Sequence, residues 1–404
     1  MTRDELTRLD AVDPLAGFRA RFSLPDGVIY LDGNSLGPLP AATPGRIAEV
    51  IGDEWGQGLI RSWNDAGWID RAGRVGDKIG RLIGAAPQSV MVADSTSVNL
   101  FKLLSAALRM RPERRVILSE AGNFPTDLYI AEGLADLLGR GHELRCVAPD
   151  EIVTHLQPDV AVVMLTEVNY HTGRRHDMAA ITAAAHHAGA LTLWDLAHSA
   201  GAMPVELAAC DADLAVGCGY KFLNGGPGAP AFLYVAPRLQ AEMIYPITGW
   251  LGHAAPFAFE PGFRPAYGIA RATVGTPPII SLSALEVGID LALEADLALV
   301  RAKSLRMGEV FAALTAELDV TLMTPMGSRG SQISLAHPDA YAVMQALIER
   351  GVIGDFRAPD VLRFGMTPLY TRYADLWDAA LVLREILAAE TWREPRFHAR
   401  RAVT

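Results

Sequence analysis

Two charged side chains stand where apolar strands end. Asp195 closes the run ALTLWD (190–195), and Lys221 comes 26 residues later, just past the run ADLAVGC (212–218), in a Tyr–Lys step ahead of the glycines at 225–228. A lysine amine at such a place condenses with the aldehyde of pyridoxal phosphate, which then accepts the electron pair of a carbanion next to an amino group. That sink works best while the pyridine nitrogen keeps its proton, and a carboxylate beside the ring favours the charged form. Taken singly, Asp195 reads as a helix cap and Lys221 as a surface lysine. Together with His198, one turn past Asp195, and with glycines that let the backbone turn sharply, they read as a cofactor site.

A phosphate also needs a cradle. In VADSTSVNLFKLL (92–104) a strand gives way to a helix at Ser95, Thr96 and Ser97. Hydroxyls and free N–H groups at a helix N-terminus bind anions, although Ser and Thr also cap helices that bind nothing. The next apolar run, RVILS, leads into EAGNFPTD (120–127), where Pro125 suits the first turn of a helix. Phe124 then lies over a bound ring or acts as a hydrophobic staple. Asp127 reaches a polar group of the same ligand or complements the helix dipole. Local sequence leaves both pairs of readings open. Arg363, inside the apolar run VLRFGMTPLY (361–370), is costly there without a partner, and its planar fork matches a carboxylate. A substrate carboxylate is favoured over a structural ion pair. No metal-ligand spacing, GxSxG elbow, Walker loop or dinucleotide fingerprint is present.

The elements that position these residues alternate. Strands are expected at 89–93, 115–119, 160–165, 190–195, 212–218 and 231–235, with helices near 44–57, 71–84, 97–109, 125–138 and 178–188 between and before them. Strands apolar throughout are buried on both faces, and alternation with helices implies a mostly parallel sheet. Such a sheet binds ligands outside the carboxyl ends of its strands. After about Trp250 the pattern changes to one long helical stretch, Ser281 to about Leu318, then short strand–helix units and a last helix near 374–389. The expected class is α/β: an N-terminal arm and substrate-side loop (1–45), a large domain with a central sheet flanked by helices (46–255), and a smaller α+β domain (256–404).

Composition narrows the function classes. Half of the 404 residues are apolar and 20% are charged, as in ordinary globular proteins. A formal charge of −10 argues against a nucleic-acid groove. Three cysteines (Cys146, Cys210, Cys218) form no CxxC pair or disulfide ladder, so a reducing cytoplasm fits. The polar N-terminus lacks a signal-peptide core, and no apolar run approaches the roughly 18 residues of a membrane span.

The motifs YLDGNSLGPLP (30–40), DSTSVN (94–99), NFPTD (123–127), LTEVNYHTG (165–173), WDLAHSAG (194–201), CGYKFLNGGPG (218–228), GWLGH (249–253), VGTPPI (274–279) and RFGMTPLY (363–370) follow one another over nearly the whole chain. In this order they resemble kynureninase of the bacterial type, within the fold-type I pyridoxal-phosphate enzymes close to aminotransferase class V. The resemblance implies that Lys221 carries the cofactor and that Asp195 partners its pyridine nitrogen. Thr96 and Ser97 then hold the phosphate, and Phe124 stacks on the ring beside Asp127. Thr166, His198, Tyr220, Trp250 and Thr276 fall on further cofactor-contact positions, Arg363 on the α-carboxylate anchor, and Asn34 and Ser35 on the substrate-side loop. It also implies a homodimer with sites at the interface, where Trp250 and Thr276 serve the neighbouring cofactor. Tyr220 is the candidate general acid–base at the γ-carbonyl, with a phosphate ligand as its other reading. Animal-type members have His near Trp63 and Asn in place of Thr276, polar partners suited to a 3-hydroxylated substrate, so plain L-kynurenine is the expected small-molecule substrate here. Among rivals, a cysteine desulfurase needs a nucleophilic Cys in the later half, and the last one here is Cys218. An aminotransferase is the nearer alternative. A silent binding protein on this fold has no need of Lys221, Asp195 and Arg363 together.

Overall fold

A computed structural model describes residues 1–401. Its large sheet has seven strands: β1 (Val90–Val92), β2 (Val116–Glu120), β3 (Glu143–Val147), β4 (Val160–Thr166), β5 (Leu191–Asp195), β6 (Leu214–Gly217) and β7 (Phe232–Val235). The spatial order is β1-β7-β6-β5-β4-β2-β3. Strands β2 to β6 run parallel, and β7 is antiparallel to both of its neighbours. The central strand β4 (VAVVMLT) is buried at every position, as expected when helices cover both faces. Thr166 of β4 lies opposite Asp195, and Asp195 lies opposite Val216. Register therefore brings the carboxyl ends of three strands to one level, and the candidate site opens there.

The edge strand β3 is not among the sequence expectations. Its Glu143 and Arg145 interrupt the apolar pattern, and its positions are exposed or half-buried.

Ten helices carry most of the packing: α1 (Arg3–Ala11), α2 (Thr43–Glu49), α3 (Trp68–Leu82), α4 (Thr96–Met110), α5 (Pro125–Leu138), α6 (Met178–His187), α7 (Ile279–Glu294), α8 (Leu297–Thr315), α9 (Ala340–Glu349) and α10 (Tyr373–Ala388). Two expectations need correction. The helix read at 44–57 is α only as far as Glu49. It continues as a π-helix, Val50–Gly58, and ends at Leu59 with φ +53°. The single helix read from Ser281 to Leu318 is two. Ala295 turns extended and Asp296 caps α8 by accepting the Ala298 N–H at 2.8 Å, so a new helix starts where the apolar periodicity alone shows no break.

The smaller sheet is antiparallel: β8 (Thr321–Leu322), β9 (Gln332–Ala336), β10 (Asp355–Arg357) and β11 (Val361–Gly365), in the order β8-β9-β11-β10. Its core takes in Leu6 of α1 and Leu31, and Ile29–Tyr30 pairs with Val352–Ile353. Much of the N-terminal arm is thus built into the small domain. Conversely, Ile269, Ala272, Leu282, Leu285, Ile289 and Ala292 join the core beneath the large sheet. These residues, between Ile269 and Ala292, fall within the stretch read from sequence as small domain, yet they pack on the large sheet.

Helix α7 presses on the turn that carries Lys221. A Cβ at Gly288 would stand 2.1 Å from the carbonyl oxygen of Leu223 and 2.9 Å from Asn224, so only glycine allows this approach. We predict that Gly288→Ala, by pushing that turn aside, lowers stability by about 1–3 kcal/mol and weakens cofactor retention. A urea midpoint and cofactor affinity equal to those of the parent protein would refute this.

Candidate active site

A cavity of about 890 Å³ opens at the carboxyl ends of β4, β5 and β6. Its walls include Thr96, Ser97, Phe124, Asp127, Thr166, Asp195, His198, Tyr220, Lys221 and Thr276, ten of the residues singled out from the sequence.

Lys221 Nζ donates to His198 Nε2 at 3.1 Å and lies 6.0 Å from the centroid of the Phe124 ring. Burial first, and the Lys221 charge second, hold the His198 pKa well below its usual value. The imidazole is therefore neutral, accepts at Nε2, and carries its proton on Nδ1, which has no partner within the chain. Asp195 accepts the Ala197 N–H at 2.7 Å and is shut off from water. Loss of hydration raises its pKa against the pull of Lys221. Beside it, Asp127 is equally buried. Loss of hydration and then the Asp195 charge push the Asp127 carboxyl well up, and its Oδ2 has no partner within the chain. Two buried carboxylates, an orphaned oxygen and an orphaned imidazole N–H suit a ligand whose ring bears a protonated nitrogen.

The opposite end of the cavity suits an anion. Ser95 caps α4 by accepting the Val98 N–H at 3.3 Å, leaving Thr96 and Ser97 to face the cavity from the helix N-terminus. Thr166 hydrogen-bonds Asn123 Oδ1, which also accepts the Phe124 N–H at 2.8 Å and so fixes the start of α5. Phe124 meets Tyr170 edge-on, with centroids 5.2 Å apart. An amine, a carboxylate floor, an aromatic wall and a helix N-terminus are the donor set that pyridoxal phosphate requires, and the residues fit it.

The carboxylate side differs from the sequence expectation. Arg363 is 1% exposed, and the Asp355 carboxylate already accepts from its Nε at 2.8 Å and from its Nη2. Its Nη2 also reaches Ser35 Oγ at 2.9 Å, and its Nη1 reaches the Tyr170 carbonyl at 2.7 Å. Ser35 thus belongs to the arginine's shell, whereas Asn34 is wholly buried behind it with neither side-chain atom partnered. Trp250, 37% exposed, and Trp63, edge-on to Trp68 at 5.8 Å, lie outside the walls of this chain's cavity. Thr276 lines the cavity of its own chain.

Sequence reasoning missed Tyr170, Asp355 and Arg357. A signal for the last two was present: Asp355 and Arg357 stand two apart in a strand and so share a face, and Asp355 pairs across the sheet with Arg363.

The comparisons agree with this geometry. A family model described as the kynureninase C-terminal domain matches residues 300–383. A kynureninase from Pseudomonas fluorescens is 53% identical over the full length of both chains. The chain belongs to the kynureninase family. Among solved structures, an apo cysteine desulfurase from Thermococcus onnurineus superposes with a TM-score of 0.79 at 19% identity, covering 92% of this chain and 98% of that one. A cystine C–S lyase mutant with glycine linked to its pyridoxal-phosphate cofactor gives 0.79 at 18%, covering 90% and 98%. These neighbours show the fold, which this chain shares with them. Pyridoxal phosphate is the cofactor of the family. Among the described residues, no three His, Cys, Asp or Glu side chains are grouped to hold a metal ion, and no helix is long and apolar enough to cross a membrane.

The paired carboxylates make a pH prediction. With the Asp127 pKa raised by folding, the folded protein binds more protons than the unfolded chain from the ordinary carboxyl range up to the raised value. Across that window stability falls as pH rises. Asp127→Asn removes this penalty. It should raise the urea midpoint of the cofactor-free protein more at pH 8 than at pH 5, and an equal shift at both would refute the assignment.

Proposed function

We propose that this kynureninase hydrolyses the Cβ–Cγ bond of L-kynurenine to anthranilate and L-alanine, with 3-hydroxykynurenine the poorer substrate. The observation that carries the reading is one primary amine, Lys221 Nζ, set against His198 in a cavity that two buried carboxylates also line, in a chain 53% identical to a kynureninase end to end.

Pyridoxal phosphate, when bound, supplies an aldehyde for amines and a ring that accepts an electron pair from carbon. Asp195 and Asp127 would hold its ring nitrogen, Thr96 and Ser97 its phosphate, Phe124 and His198 its ring, with Thr166 and Tyr220 as further contacts. Lys221, once released by the substrate's amino group, takes the proton from Cα. His198, neutral and buried, accepts a hydrogen bond from that amine without competing for its proton. Burial raises the Tyr220 pKa, so its hydroxyl stays protonated at neutral pH and can act as an acid at the γ-carbonyl oxygen while water adds to the γ-carbon. The Cβ–Cγ bond then breaks, the carboxyl fragment leaves as anthranilate, and Cβ takes up a proton. Arg363 would meet the α-carboxylate, with Ser35 bracing the guanidinium. Thr276 in the cavity wall gives the 3-position no strong polar partner, which favours the unhydroxylated ring.

The quaternary reading is a homodimer. Ile51, Trp55, Leu59 and Ile60 are exposed, as are Trp250, Phe257, Phe259, Phe263 and Tyr267. A groove lined by Ile69, Asp70, Leu251, Pro256 and Tyr267 adjoins the second group. Apolar surface on this scale marks an interface, and in a dimer Trp250 would reach the neighbouring cofactor. Three free cysteines support a cytoplasmic setting.

Fluorescence should report anthranilate release from L-kynurenine, with L-alanine formed in equal amount, slower turnover of 3-hydroxykynurenine and silence from Lys221→Ala. Tyr220→Phe should cost about 10²–10⁴ in kcat; full turnover in that variant would leave Tyr220 a phosphate ligand only. No anthranilate from a cofactor-loaded protein would overturn the assignment and return the aminotransferase reading. Light scattering should give twice the chain mass of 43.4 kDa, falling toward one chain mass in Phe259→Glu/Tyr267→Glu, and a monomeric parent would refute the dimer.

A further inference from the structure

Arg363 has little left to offer a substrate. A guanidinium carries five N–H donors. In this structure Nε and one Nη2 hydrogen are spent on Asp355, the second Nη2 hydrogen on Ser35 Oγ, and one Nη1 hydrogen on the Tyr170 carbonyl. One Nη1 donor remains, too few for the two-pronged grip that makes arginine the residue for carboxylates.

A second guanidinium stands next to it. Arg357 Nη2 lies 2.8 Å from Asp355 Oδ2 and 3.4 Å from Ser35 Oγ, the groups that also bind Arg363. Its Nη1 donates to the carbonyl of Phe356 at 3.3 Å, which leaves Nε and one Nη1 hydrogen uncommitted, two donors against the one left on Arg363. Its side chain is 36% exposed, against 1% for that of Arg363. Arg357 is therefore the more accessible of the two cations. Its charge is felt at His198 and Tyr220 in the cavity wall.

The local charge is also unbalanced. Two arginines share one full carboxylate, Asp355, with Asp32 nearby. Burial, then the Asp355 charge, push the Asp32 carboxyl up to about 7, so at neutral pH it contributes less than a full negative charge. The two guanidinium groups can therefore take a further anion, and a substrate carboxylate has the charge to suit them.

We propose that Arg357 is a substrate-binding, specificity-determining residue that shares the α-carboxylate with Arg363: Asp355 and Ser35 hold the two guanidinium groups side by side, and Arg357 provides the accessible donors. This rests on the amino-acid substrate of the proposed function but not on which side chain is cleaved from it.

The test uses the cofactor-loaded protein. Arg357→Gln should raise KM for L-kynurenine about tenfold or more, the scale of losing a hydrogen bond to a charged group, with kcat within about twofold. Two further probes separate this from failure of the kynureninase reading. L-Alanine, titrated by absorbance, carries the carboxylate without the aryl ketone, and its affinity should fall by a similar factor. Calorimetry with 4-(2-aminophenyl)-4-oxobutanoate, which has the carboxylate but no α-amino group, should show the same loss, while its carboxamide binds parent and variant alike. Arg357→Lys should recover part of the affinity and guards against misfolding, checked by thermal melting. Unchanged affinity for L-alanine and for the oxobutanoate in both variants would overturn the proposal, whether or not the parent protein releases anthranilate.

Discussion

Burying a carboxylate away from water is among the most unfavourable things a fold can do unless a cation or a set of donors meets it. This chain does it twice at one spot. Asp195 and Asp127 sit together beneath the cavity with one backbone N–H, that of Ala197, donating to Asp195. Lys221 offsets part of their charge, as its pull on both acids shows, and the protonated ring nitrogen of a bound cofactor would meet the rest. The site is thus assembled against its own electrostatics, and a rigid scaffold has to hold it. The parallel register that levels Thr166, Asp195 and Val216, the strands apolar on both faces and the pressure of α7 on the lysine turn are parts of that scaffold.

A second buried charge cluster stands across the cavity, and the N-terminal arm joins the two. Gly37 donates its N–H to the Tyr220 carbonyl at 2.8 Å, and a side chain there would come within 2.4 Å of the Lys221 carbonyl. Two residues earlier, Ser35 donates to Asp355 at 2.5 Å and accepts from Arg363. A five-residue loop, Gly33–Gly37, thereby couples the turn carrying the amine to the arginines of the small sheet. A loop with so many committed backbone and hydroxyl groups has little freedom to drift, which is what precise placement of a substrate between two domains requires.

The legible part of this architecture was the part written in local chemistry. Asp195 and Lys221 stand out in the sequence because one ends an apolar strand and the other follows just past the next, and Thr96 and Ser97 because hydroxyls open a helix. The sheet was readable because β4 and β5 are apolar throughout. Features set by long-range packing were not. Strand β3 hides behind Glu143 and Arg145 because an edge needs only one covered face. The break at Asp296 was invisible because the apolar pattern runs on across it. The π-helical turn ending at Leu59 has no periodic signature, and the union of the arm with Val352–Ile353 joins segments over three hundred residues apart. Arg363 was found as a buried arginine. That its fork would be filled by Asp355 depends on cross-strand register, which a single strand's sequence does not contain.

The division between the two cores gives the arrangement its logic. The amine chemistry belongs to the large domain through Lys221, His198 and Asp195, and the arginines belong to the small one through β10 and β11. Where the two meet, Arg363 Nη1 donates to the Tyr170 carbonyl and Gln332 Nε2 donates to the same oxygen at 2.9 Å. Tyr170 in turn abuts Phe124, so the carbonyl that seats Arg363 and the ring that walls the cofactor cavity are braced by one residue. An amino acid whose amino group engages the large domain and whose carboxylate engages the small one spans that same contact. Recognition of the carboxylate and orientation of the Cα–H bond toward Lys221 are then one geometric event, because neither end of the substrate can be held without fixing the other.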